Sequence, residues 1–84
     1  MGRAPRPQPE RLAAKLYAIR TGLGLTQEQM IKRLRYRASS LYPSSISDFE
    51  QGKREPPALL LLHYARAAGT TMEVLVDDAL DLPD

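Results

Sequence analysis

The sequence predicts an all-α fold, a compact bundle of five helices, and three observations carry that expectation. Apolar residues recur from Leu12 onward at spacings of three and four, the period of one helix face. Caps and stops punctuate the pattern, with Thr26 and Thr71 before helical stretches and Gly52 and Gly69 after them. The 84 residues contain no cysteine, so the chain is one small domain with neither a disulfide framework nor a thiolate metal site.

The first eight residues alternate proline with arginine, including Arg3 and Arg6, and form an extended basic arm at 1–8. The spacing then predicts a first helix starting near Pro9 and ending at Gly22 and Gly24, with Leu12, Leu16, Ile19 and Leu23 inward. Thr26 and Gln29 make a capping box for the second helix, and Leu25 and Met30 a hydrophobic staple across its start. Met30, Ile31 and Leu34 face inward, while Lys32, Arg33, Arg35 and Arg37 crowd the end, where cations complement the dipole. No period holds from Arg35 to Tyr42, a basic loop from which Leu41 turns inward. Pro43 suits the first turn of a third helix with Ile46 and Phe49 inward; Tyr42 is a poor cap, so Ser40 and Ser44 are alternative starts.

The fourth helix opens after Pro56 and Pro57, with Ala58, Leu61, Leu62, Ala65 and Ala68 on one face, which leaves Leu59 and Leu60 outside. Thr71 caps a fifth, with Met72, Leu75 and Val76 inward and Val74 outward. The sequence thus divides into the arm, a domain at 9–77 and an acidic tail at 78–84 expected to fray.

Net charge is only +2, but eleven Lys/Arg face four acids in residues 1–54, and Arg66 alone faces six acids beyond them. That asymmetry points to a basic surface for a polyanion and an acidic end held away from it. The longest uncharged apolar run is too short for a bilayer and the first residues lack a signal-peptide core, so the chain is expected in the cytoplasm, with no membrane partner. His63, the lone histidine, is placed on an outer helix face with no catalytic constellation around it; neither an enzyme, a metal nor a cofactor is expected.

Two short helices joined by a basic connection suggest a helix-turn-helix. The stretches LTQEQMIKRL, SSISDFEQGKREP and LLHYARAAGTTMEVL together resemble the repressor/Cro-type (XRE-like) helix-turn-helix family of bacterial and phage regulators, over Leu12 to Val76. The resemblance implies a five-helix, lambda-repressor-like bundle whose third helix lies in the major groove of double-stranded DNA, and a small transcriptional regulator of the repressor kind. It places Ser44, Ser45, Ser47 and Asp48 towards bases, and Gln27, Lys53 and Arg54 on the phosphate backbone. Lys32, Arg33, Arg35 and Arg37 join them as phosphate contacts on charge. Arg20 and Glu50 match a pair of positions that join the first and third helices as a structural ion pair. Ile46 stands twenty positions after Thr26, several more than the family usually has, so the connection is lengthened. Leu59, Leu60, Val74 and Leu80 are the candidates for homodimer contacts. A rival from another class uses the same exposed leucines of helix four in a protein-binding adaptor or antitoxin-like module.

Overall fold

Five helices form where the caps fall: α1 (Leu12–Gly22), α2 (Gln27–Leu34), α3 (Pro43–Glu50), α4 (Ala58–Ala68) and α5 (Met72–Val76). The computed structural model describes residues 9–83, and no strand occurs among them; the arm, with Arg3 and Arg6, and the terminal Asp84 lie outside the described residues. The radius of gyration, 12.7 Å, is that of a compact chain of this length, for which about 12 Å is expected.

One core joins all five elements. Leu12, Leu16 and Ile19 of α1 meet Met30 and Leu34 of α2, Ile46 and Phe49 of α3, and Leu75 of α5. From α4 come Leu60, Leu61, Tyr64 and Ala65. The inward residues expected in α1, α2 and α3 are those found, save that Leu23 reaches the surface and Ile31 is only partly covered. In α4 the arc is different: Leu60 is 0 % exposed and Ala58 is outside, whereas Leu59 is 51 % exposed. The reason is that α4 packs against α2, α5 and α1 at once, so its buried arc is wider than one stripe. Val76, expected inward, is exposed, and Val74 is half-buried.

The chain ends hold each other. α1 starts at Leu12 rather than near Pro9, and the amides of the two residues just before it are bonded from the far end of the sequence. The Asp78 carboxylate accepts from the backbone N–H groups of Glu10 (2.9 Å) and Arg11 (3.0 Å). The Arg11 guanidinium in turn donates to the Asp78 carbonyl (2.7 Å) and the Asp81 carboxylate (2.5 Å). Leu82 packs against the core. Residues 78–83, expected to fray, are bonded back to the start of α1: a carboxylate near a helix N-terminus meets unsatisfied N–H groups and the positive end of the dipole. These donors hold Asp78 below its ordinary value of 3.8, with the Arg11 amide contributing most. A lowered folded pKa means that the stabilisation is present above the unfolded value and lost as pH falls through the folded one. Asp78→Asn should therefore flatten the acid limb of a stability–pH curve below about pH 4; an unaltered limb would show that the latch carries no proton linkage.

Lys15 is 3 % exposed, on the edge of the α1 stripe. Its Nζ donates to the carbonyls of Val74 (2.7 Å) and Asp77 (2.9 Å), so a buried ammonium serves the last turn of α5. A cation at a helix C-terminus is favoured by the dipole and by carbonyls that lack intrahelical donors. Lys15→Met keeps the stem and removes the donor, and should lower unfolding free energy by about 1–3 kcal/mol. A urea midpoint that stays put would show that water serves those carbonyls equally well.

Candidate nucleic-acid interface

The seat of α3 is set at its start, along its inner face and at its end. Pro43 occupies the first helical position and Tyr42 is the N-cap, so neither Ser40 nor Ser44 begins the helix. Tyrosine offers no capping oxygen there, and the Ser45 hydroxyl instead reaches back to accept the Tyr42 N–H at 3.2 Å. That corrects the reading of Ser45 as a base contact: it is 8 % exposed and its oxygen is spent inside the fold. Ile46 and Phe49 fill the core beneath it.

At the far end, Glu50 meets Arg20 in a two-pronged ion pair, Nε to Oε2 at 2.6 Å and Nη2 to Oε1 at 3.0 Å. The third prong, Arg20 Nη1, donates to the Leu25 carbonyl at 2.9 Å, just before α2. One planar guanidinium thus ties α1, α3 and the entry to α2, which a lysine's point charge would not do. The hydrogen bond to Glu50 raises the Arg20 pKa above its ordinary value, against a smaller desolvation effect. The Tyr17 ring lies 5.4 Å from the guanidinium carbon.

The outer side of α3 is open. Ser44 is exposed, while Ser47 and Asp48 are half-buried. The Ser47 hydroxyl accepts from Gln51 Nε2 at 2.7 Å. After α3, the Lys53 and Arg54 amides return to the Asp48 carbonyl at 2.9 and 3.4 Å. That turn leaves both side chains exposed. The Arg54 guanidinium lies 5.2 Å over the Phe49 ring, a cation–π contact that fixes its direction. Before α3, Arg37 is exposed on the loop.

α2 begins with the expected capping box: Gln29 N–H donates to Thr26 Oγ1 (3.1 Å) and Thr26 N–H to Gln29 Oε1 (2.9 Å). Gln27 follows the cap and is half-buried. Lys32, Arg33 and Arg35, expected as phosphate contacts, are exposed at the end of α2. They line an open cleft of about 570 Å³ with Leu25 and Gln29. Arg33 and Arg35 also share a cleft of about 400 Å³ with Leu34, His63, Arg66 and Ala67. α3 supplies no wall to either cleft.

His63 is not on an outer face. It is half-buried, its Nδ1 lies 2.7 Å from the Leu34 carbonyl, and the Tyr36 ring meets it edge-on at 5.5 Å. A carbonyl only accepts, so Nδ1 carries the proton. The imidazole therefore closes the end of α2 and anchors the loop after it on α4. Of the four dimer candidates, Leu59 alone is well exposed, with Val74 and Leu80 half-buried and Leu60 in the core.

Among the described residues no three His, Cys, Asp or Glu side chains are placed to hold a metal ion, and no helix is long and apolar enough to cross a membrane. Scans against protein-family models, curated protein sequences and solved structures each returned no match.

Proposed function

We propose that this chain is a small transcriptional regulator of the repressor/Cro-type, with α2 and α3 forming a helix-turn-helix whose turn is a basic loop. α3 enters the major groove of double-stranded DNA. The observation that carries this reading is the exposure pattern of α3: its inner face is locked by Ile46, Phe49 and the Arg20–Glu50 pair, its outer side is open. Exposed cations flank it, Arg37 before and Lys53 with Arg54 after. Phosphate contacts from such flanking cations set register, and side chains on the helix between them read base edges. Ser44, Ser47 and Asp48 are those side chains, with Ser45 withdrawn. Serine pairs with any base, and aspartate accepts from a cytosine amino group.

So few readers on one helix favour a symmetric dimer, with half-sites about 34–36 Å apart on the duplex. Leu59 is the residue most suited to the dimer contact. The adaptor reading rests on an exposed Leu59–Leu60 surface, and with Leu60 buried only half of it is left.

The test is fluorescence anisotropy of labelled DNA from upstream of the gene, titrated across a salt series. Three phosphate contacts per chain give a slope of about −3 for each half-site filled, in log affinity against log salt. Absence of binding at about 50 mM salt, or binding indifferent to salt, would sink the proposal.

A further inference from the structure

We propose that the cleft between α2 and α4 is a binding site for a phosphate group, held by Arg33, Arg35 and Arg66. It stands apart from the DNA-binding reading, since α3 takes no part in it. The lining brings three arginines together with no acidic residue, and none of the three has an ion-pair partner among the described residues. One of the adverse carbonyls at this end of α2, that of Leu34, is covered by the His63 imidazole. That oxygen is therefore not bare to an arriving anion. Guanidinium forks match phosphate oxygens in pairs. At about 400 Å³, the cleft lies within the usual range for small-ligand sites.

The backbone supplies a second, independent observation. Four positions among the described residues adopt positive φ, and three are glycines: Gly24, Gly52 and Gly69. The fourth is Arg35, at φ 55°, which ends α2. A left-handed turn at a helix end strongly favours glycine, and any residue with a Cβ strains it. Strain kept where glycine would relieve it marks a position held for its side chain. The Arg35 side chain lines the cleft.

Two probes separate the sources of the phosphate, inorganic pyrophosphate and a short DNA duplex, each titrated into the full chain at constant ionic strength. Amide and His63 ring NMR signals report occupancy. Pyrophosphate should shift the signals of Arg35, His63 and Arg66 saturably, and Arg66→Ala or Arg33→Ala should weaken it roughly tenfold or more. Arg35→Gly should weaken it likewise while raising Tm by about 4–8 °C. If the duplex alone loses affinity with Arg66→Ala, the phosphate belongs to a nucleic-acid backbone; if pyrophosphate alone does, to a free anion. Loss of the α3 contacts to DNA leaves the pyrophosphate titration untouched, so the two readings fail separately. Saturation by neither probe, unchanged affinities in Arg66→Ala, or a lower Tm in Arg35→Gly would overturn the site.

Discussion

Arg20→Ala should lower the unfolding free energy by about 3–5 kcal/mol, with a fall in Tm of at least about 15 °C. The Glu50 side chain is only 5 % exposed, so without the guanidinium its carboxylate is left buried and unpaired. The Leu25 carbonyl loses its donor in the same step. Glu50→Ala should cost less, because the remaining guanidinium is more exposed, keeps the Leu25 carbonyl and rests on Tyr17. The double variant Arg20→Met with Glu50→Leu should recover most of the loss, since a packed apolar pair of similar volume often equals a buried ion pair in stability. Urea unfolding of the four proteins measures the coupling. Single variants near wild-type stability, or a double variant showing the full sum of losses, would mean that the pair is surface decoration. A buried pair is also weakly screened, so added salt should leave its contribution nearly intact. That separates it from the salt-sensitive contacts to DNA proposed for the cations around α3.

What could be read from local spacing was whatever is decided within one turn of helix; the Arg20–Glu50 pair, far apart in sequence, came only from the resemblance. The Thr26–Gln29 box, the stop at Gly52, and the inward Ile46 and Phe49 depend on neighbours three or four positions away. Lys15, His63 and Asp78 escaped because their partners lie far along the chain: the Val74 and Asp77 carbonyls, the Leu34 carbonyl, and the Glu10 and Arg11 amides. Each answers a backbone group that a helix end cannot satisfy alone, and no local spacing announces which side chain will arrive. One signal was present for Lys15, which sits three residues after Leu12 and one before Leu16, at the margin of an apolar stripe. Ser45 escaped for a different reason. Ser44, Ser45 and Ser47 look alike as residues, but Ser45 lies four positions before the inward Phe49, at the margin of that face, and there its hydroxyl meets the Tyr42 amide. The run Leu59–Leu62 could not be divided by periodicity, because α4 has neighbours on several sides.

Arg37, Lys53 and Arg54 replaced together by alanine should remove nearly all of the salt dependence of DNA binding by α3. The slope should become shallower by about 3 for each half-site filled, and affinity near 100 mM salt should fall roughly a hundredfold or more. On the proposed reading these cations hold phosphates rather than bases, so the preference for the cognate site over unrelated DNA should persist. Ser44→Ala with Asp48→Asn should show the reverse, a reduced preference at nearly constant slope. Arg54→Lys provides a finer test of the cation–π contact, 5.2 Å from the Phe49 ring. It keeps the charge but loses the planar stacking, so it should keep the slope and lose part of the affinity. All of these side chains are exposed or half-buried, outside the core, so the folded state should survive and be checked by helical CD. A folded triple variant that binds the same DNA with unchanged slope and affinity would leave α3 without a backbone grip. The groove-reading role would then fall, whatever the cleft between α2 and α4 proved to bind.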